Sequence, residues 1–224
     1  QKLSLELRFP SYTGLPVERL ESGGDVAAVR GTSVTVRAQL TRAVRGGMGE
    51  AKTGGNYAAS LLAGRVAREK GCAQVLWLDG IHHRYVEEVG AMNIFFVLNG
   101  NTLVTPKLNG SILAGVTRDS VLALGKHLGF RIEEREISID EVVGGITTGS
   151  ITEIFGSGTA ASISPVGNLK YREKDFVVNH RQVGPISQQI YDMLLGIQYG
   201  EIANPFDWTR KIEMNRDTGL VQRA

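Results

Sequence analysis

Lys52 is the residue whose surroundings first invite a chemical role. It stands in GGMGEAKTGGNY, residues 46–57, a lysine inside a run of glycines that follows a strand-like segment. Glycine-rich loops with a lysine do two common jobs. They cradle a nucleotide's phosphates, or they present an amine for covalent chemistry. Residues 46–53, GGMGEAKT, match the phosphate-loop pattern G-x-x-x-x-G-K-[ST] except that Ala51 replaces the glycine before the lysine. VLWLD at 75–79 has the form of an apolar strand ending in a magnesium-binding aspartate. Three features weigh against the nucleotide reading. The replaced glycine is the one that lets backbone wrap a phosphate. Gly54-Gly55 is a poor opening for the helix that should follow. The parallel sheet that such loops serve is not evident downstream.

The other reading makes Lys52 a Schiff-base lysine carrying pyridoxal phosphate. That chemistry asks for more than an amine. The pyridine nitrogen needs a carboxylate, so that the ring stays protonated and draws electrons. The phenolate oxygen needs a donor, and the phosphate needs backbone N–H groups at a helix start. Each has a candidate. VEEVGAMN (86–93) puts Glu88 before a glycine turn and a strand. LAGVTRD (113–119) delivers Val116 and Thr117 onto a helix start. GSGTA (156–160) is a second hydroxyl-bearing loop, and Tyr57 supplies a phenol. Taken singly, Glu88 reads as a solvated turn residue, Thr117 as a plain helix cap and GSGTA as a tight turn. Their joint presence carries the weight.

The elements that must position these groups follow from periodicity. KLSLELRF and TSVTVRAQL (32–40) alternate as strands, with turns at PSYTGLP and ESGGD between them. A helix is expected over 57–71 with Gly71 as its stop, a buried strand at 73–79, and a hairpin over 93–106 turning at Asn99-Gly100. A helix over 117–130, with Thr117 at its start, precedes an alternating strand at 131–139. Residues 151–166 read as strand, glycine turn and strand. Residues 184–200 read as a helix with Pro185 in its first turn, Gly200 at its end, and Ile186, Ile190, Met193, Leu194 and Ile197 as its apolar stripe. The glycine clusters at 46–55, 144–149 and 156–158 suggest loops that approach a ligand. Regular βαβ alternation is absent after residue 80, so the class is α/β in the mixed, α+β sense, with mainly antiparallel sheets and packed helices.

Bulk properties set the outer bounds. The 224 residues suffice for a sizeable core, and 42% hydrophobic with 21% charged is ordinary for a globular protein. The net charge of +2, with no basic run interleaved with aromatics, argues against a dedicated nucleic-acid partner. One cysteine, Cys72, excludes an internal disulfide and fits a cytoplasmic setting. No apolar run reaches the roughly 18 residues of a membrane span, and no signal peptide is evident. The chain begins at Gln1, so the true N-terminus is expected to lie upstream. His82 and His83 are neighbours, and on a strand would point to opposite faces, which disfavours a metal site. They, His127 and His180 read as surface groups, and Cys72 as a small buried residue. Arg118 either adds to the field beside the helix start or forms a structural ion pair.

AKTGGNYAASL, CAQVLWLDG, VEEVGAMNIFFV, LNGSILAGVTRDS, EIFGSGTAASISPV and the closing GIQYGEIANPFDW together resemble the branched-chain amino acid aminotransferases, in the fold type IV class of pyridoxal phosphate enzymes. The resemblance runs from about residue 33 to the C-terminus. It implies the D-amino acid aminotransferase-like architecture and ping-pong transamination of leucine, isoleucine and valine with 2-oxoglutarate. It implies Lys52 as the Schiff-base lysine and proton shuttle, Tyr57 as partner of the cofactor's phenolate oxygen, and Glu88 as partner of its ring nitrogen. Leu113 would pack on the ring, Val116 and Thr117 would bind the phosphate through backbone N–H groups, and Thr159 through its hydroxyl. Ala91, Thr159 and Ala160 would face the substrate, with Ala160 where a backbone N–H meets its carboxylate. A homodimer is implied, with amino acids and 2-oxo acids as small-molecule partners. Ala91 stands where some members have threonine. Ala161 and Ser164 stand where some animal members have a Cys-x-x-Cys pair, so thiol control is not expected. The family's smaller N-terminal domain, with its phosphate-binding arginine, is not found in residues 1–32, which read as a divergent or truncated leader to a cofactor-binding domain at 33–224. Three alternatives stay open: a D-amino acid transaminase, an aminodeoxychorismate lyase, or a cofactor-binding fragment without turnover.

Overall fold

In the computed structural model the described residues are 48–210 together with 3–8, 18–20, 33–38, 212–214 and 221–223. The turns expected at 10–16 and 21–25, and Gly46 and Gly47 of the lysine loop, lie outside them. β1 (Leu3–Arg8), β2 (Glu18–Leu20) and β3 (Ser33–Ala38) form an antiparallel sheet in the order β2-β1-β3. β3 thus pairs with β1 across the boundary drawn at residue 32.

The lysine loop runs into α1 (Gly54–Ala58) and α2 (Leu61–Glu69) rather than one helix over 57–71. Helix begins at the glycine pair that sequence propensity disfavours. The Asn56 amide explains this. It donates to the carbonyls of Met48 (2.6 Å) and Ala51 (2.8 Å), closing the loop just where the helix starts. The Ser60 hydroxyl donates back to the Tyr57 carbonyl at 2.6 Å, which diverts the backbone where α1 gives way to α2. Gly71, at φ +76°, ends α2 as expected.

The main sheet has seven strands: β4 (Leu76–Leu78), β5 (Val86–Val89), β6 (Met92–Leu98), β7 (Thr102–Pro106), β8 (Arg131–Arg135), β9 (Ile151–Gly158) and β10 (Ser162–Pro165). The path runs β10-β9-β6-β5-β4, and β7 pairs with β6 and, in parallel, with β8. The parallel pair needs a crossover, which α3 (Val116–His127) supplies. The β6–β7 hairpin turns at Asn99 (φ +49°) and Gly100 (φ +71°), the conformation a two-residue primed turn requires. β11 (Asn168–Tyr171) and β12 (Lys174–Val177) make a hairpin that the sequence reading leaves out, as do the short strands β13 (Ile212–Met214) and β14 (Val221–Arg223). α5 (Pro185–Tyr199) has the expected proline start and its glycine stop at Gly200, φ +72°.

β6 divides the core by alternation. Ile94 and Phe96 join Val86, Ile139, Val142 and Ile154 on the face covered by α4 (Ile139–Thr148). Phe95 and Val97 join Val121, Leu124, Ile190, Leu194 and Ile197 under α3 and α5. Phe95 and Phe155 face each other across β6 and β9, with rings stacked 5.3 Å apart. α4 corrects the ligand-loop expectation for 144–149. Ser138 caps it by accepting from the Glu141 N–H at 3.1 Å, and the spacing Ser138-x-x-Glu141 is the signal that would have revealed it. Gly145 is there for packing. A β-carbon would lie 2.7 Å from the Ile151 side chain, so only glycine lets α4 approach β9 this closely.

Two buried charges turn out to be structural. Arg118 donates to the Pro106 carbonyl (3.1 Å) and to Glu134 (2.7 Å), pinning α3 to the β7–β8 pair. This is the ion-pair reading of Arg118. Glu153 on β9 accepts from the Ile186 and Ser187 N–H groups at 2.9 and 2.8 Å, one oxygen each, and so caps α5 from outside the helix. Gly184 makes room for it, because a β-carbon there would sit 2.0 Å from the carboxylate. Glu153→Ala leaves one buried and one half-buried donor unpaired. It is expected to cost about 1.5–3 kcal/mol, read as a fall in the thermal midpoint on the order of 5 °C; an unchanged midpoint would remove Glu153 from this role.

Candidate functional site

Glu88, Asn93 and Ser157 stand in one row across β5, β6 and β9. Glu88 opposes Asn93, and Asn93 opposes Ser157. Directly opposed residues share a face, and here it is the face that also carries Phe95 and Phe155 beneath α3 and α5. The turns that end these strands lie at the same end of the sheet by that register. Gly90-Ala91 joins β5 to β6, with Gly90 at φ +57°, and Thr159-Ala160-Ala161 joins β9 to β10.

The row is polar, buried and tied to the loop that opens α3. Glu88 is only 4% exposed. Its Oε1 accepts from the Leu113 N–H at 3.2 Å and from the Asn93 amide at 3.4 Å. Asn93 also donates to the Leu113 carbonyl at 2.9 Å. Its own carbonyl oxygen fills the space beside Gly115, where a β-carbon would lie 2.3 Å away. Ser157 is 1% exposed, and its hydroxyl has no hydrogen-bond partner among the described residues. An orphaned buried hydroxyl is costly unless something else meets it. α3 has no side-chain cap. Thr117, expected as a cap, is the second helical residue, and Val116, the first, is 83% exposed. The first-turn N–H groups therefore have no intrahelical partners and lie beside the positive end of the helix dipole.

The structure brings Glu88 and Leu113 together and joins them to Val116 and Thr117 through Asn93 and Gly115. Ala91, Thr159 and Ala160 are exposed in the turns at that end of the sheet. Among the described residues Lys52 makes no hydrogen bond or ion pair with the row. Lys52 lies on the exposed loop before α1, without an ion-pair or hydrogen-bond partner among the described residues, and Tyr57 is half-buried in α1. No residue of α1 or α2 is fully buried. Asn93 and Ser157 escaped the sequence reading. An amide opening the apolar run NIFFV was the available signal for the first.

Two other features are set apart. A cavity of about 710 Å³ lies on the opposite sheet face, lined by Val66, Leu76, Leu78, Met92, Phe96 and Ile154 among others. It is apolar, and Lys70 and Glu173 in its wall pair with each other at 2.5 Å. Glu88, Asn93 and Ser157 do not line it, so this cavity and the polar row are separate places. Asp79, the aspartate of VLWLD, is a loop staple rather than a magnesium ligand. Its two oxygens accept from the N–H groups of Ile81, His82, Arg84 and Tyr85 at 2.6–3.2 Å. Burial raises its pKa, but the four backbone donors outweigh burial and hold the carboxyl well below the usual carboxylate range. A depressed folded-state pKa gives stability that is present above the unfolded value, about 4, and is lost as pH falls toward the folded value. Asp79→Asn is therefore expected to destabilise by about 1–3 kcal/mol at pH 7. Its deficit against the parent protein should narrow below pH about 4, as read by urea unfolding; a pH-independent deficit would contradict the staple.

The amino-transferase class IV family profile matches residues 25–169. Branched-chain-amino-acid aminotransferase 2 of Bacillus subtilis is 52% identical over 184 residues, 82% of this chain and 50% of that protein. A probable branched-chain-amino-acid aminotransferase of Streptomyces coelicolor is 48% identical over 180 residues, 80% of this chain and 49% of that protein. The chain thus spans about half the length of the curated relatives it matches. Among solved structures, the branched-chain amino acid aminotransferase of Escherichia coli superposes with a TM-score of 0.64 at 30% identity, covering 83% of this chain and 63% of that one. The enzyme of the same name from Thermobaculum terrenum, in its PLP form, gives a TM-score of 0.60 at 29% identity over 73% and 50% of the two chains.

Proposed function

Because the chain belongs to the amino-transferase class IV family, with the fold type IV architecture of its structural neighbours, we propose that it transaminates leucine, isoleucine and valine with 2-oxoglutarate, using pyridoxal phosphate. The observation that carries the reading is the buried Glu88 carboxylate, hydrogen-bonded to the loop that opens α3. The residues present fit the cofactor. They include a buried carboxylate for a ring nitrogen, uncapped helix N–H groups for a phosphate, and an orphaned Ser157 hydroxyl in the same cross-strand row as the carboxylate. Relatives at 48–52% identity bearing the branched-chain name favour that substrate class over a D-amino acid transaminase or a lyase.

When bound, pyridoxal phosphate supplies an electron sink that stabilises negative charge at the substrate's α-carbon. In this reading Glu88 holds a proton at the ring nitrogen, and Leu113 packs against the ring. The N–H groups of Val116 and Thr117 bind the phosphate with the helix dipole behind them, and the Thr159 hydroxyl donates to it as well. The Tyr57 hydroxyl donates toward the ring oxygen. The Ala160 N–H receives the substrate carboxylate beside Ala91. Lys52 Nζ would hold the cofactor covalently and would carry the proton from the substrate's α-carbon. The unit that does this is residues 33–224, and its partner is a second copy of the chain. The exposed Leu61 and Leu62 of α2 offer apolar surface to such a partner.

The test is direct. Purified protein mixed with pyridoxal phosphate should gain an absorption band at the blue edge of the visible, and leucine with 2-oxoglutarate should then yield glutamate. Absence of the band overturns the cofactor assignment. A band with turnover of a D-amino acid but not leucine overturns the substrate assignment.

A further inference from the structure

We infer that Glu87 is a positioning residue of this site. The inference rests on the cofactor reading above. β4 pairs Trp77 with Glu88 and Leu78 with Val86, so Glu87 is the extra residue of a bulge in β5. Regular alternation would send two consecutive carboxylates to opposite faces. The bulge lets both reach the same loop instead. Glu88 takes the Leu113 N–H. Glu87, 6% exposed, accepts a short hydrogen bond from the Ser111 hydroxyl and one of 3.2 Å from the Asn109 amide. Asn109 in turn accepts from the Ser111 N–H at 3.0 Å, which closes a three-residue knot.

Residues 107–115 contain no helix or strand of their own. At its start the Lys107 N–H donates to the Arg135 carbonyl at 3.2 Å; beyond that, what holds residues 108–115 in the described hydrogen bonds is the Glu87 knot at 109–111 and the Glu88–Asn93 contacts at Leu113. The segment delivers Leu113 to the ring position and Val116 and Thr117 to the phosphate position. Glu87 touches neither place. It sets where both lie relative to Glu88, because the two carboxylates are neighbours on one strand.

The experiment compares Glu87→Ala, Glu87→Gln and, as a buried carboxylate far from this loop in sequence, Glu153→Gln. Without cofactor, amide hydrogen exchange in Glu87→Ala should quicken at 109–117 while α5 keeps its protection. With cofactor, a spectroscopic titration should show pyridoxal phosphate binding at least about tenfold more weakly, as expected when a binding loop is no longer pre-organised. Glu87→Gln should recover most of both losses, since its amide oxygen accepts the same two donors. Glu153→Gln should lower the thermal midpoint without weakening the cofactor. Exchange that is unchanged at 109–117, or quickened throughout the chain, overturns the inference. So does unchanged cofactor affinity in Glu87→Ala. If the parent protein itself shows no band with pyridoxal phosphate, the cofactor reading fails and the positioning role with it, whereas exchange in the cofactor-free protein still reports whether Glu87 holds the loop.

Discussion

Lys52→Ala is expected to abolish the cofactor absorption band and to lower transamination by at least about 10⁴-fold, on the order of 5.4 kcal/mol of transition-state stabilisation. In the proposed function two roles would vanish with one amine: the covalent anchor and the proton carrier. Lys52→Arg should be equally inactive, because a guanidinium stays protonated and cannot act as the nucleophile. The fold should be indifferent to either change. Lys52 is exposed and has no polar partner among the described residues, and surface substitutions of that kind move stability by about 0.5 kcal/mol or less. Loss of the band at an unchanged thermal midpoint would therefore be a chemical result. A Lys52→Ala protein that still turned over leucine would remove the assignment.

Glu88→Gln should retain the cofactor and slow transamination by about 10²–10³-fold. Glutamine keeps an oxygen that can accept from Leu113 and Asn93, so the loop at 113 stays in place. What would be lost, in the proposed function, is the negative charge that keeps a proton on the ring nitrogen. A neutral ring withdraws electrons less, so the deficit should fall on kcat while the cofactor titration stays close to the parent's. Glu88→Ala would confound the two by opening a cavity and releasing Leu113. A Glu88→Gln protein with parental kcat would free Glu88 from this role. The contrast with Glu87 is the useful one: removal of Glu87 should act mainly on cofactor affinity, whereas the conservative change at Glu88 should act mainly on rate.

Local signals carried much of this protein into view. Alternation announced β1 and β8 and marked 32–40, around β3, as a strand, the apolar run and the Asn99-Gly100 pair announced the β6–β7 hairpin, and proline and glycine marked the ends of α5, because each of these depends on residues close in the chain. The motifs around Lys52, Glu88, Val116-Thr117 and Thr159 were legible for the same reason: each motif is a short run of neighbours. Legibility stopped where a residue's meaning depended on a distant one. α4 was hidden by its glycines, of which Gly145 serves contact with Ile151 on the next strand. The split between α1 and α2 turned on the reach of Asn56 back to Met48.

By itself, then, the sequence determined most of the long elements, the mixed mainly antiparallel class and a set of chemically apt residues, because propensity, periodicity and turn chemistry act over a few residues. The tertiary structure decided which of those residues meet. Strand register placed Glu88, Asn93 and Ser157 in one row, although up to 69 positions separate them. A bulge at Glu87 turned two adjacent carboxylates onto a single loop. Arg118 and Glu153 became struts because their partners lie on other elements, at Glu134 and at the start of α5. Pairing register and face are set by how whole elements pack against one another, which no short window of sequence contains.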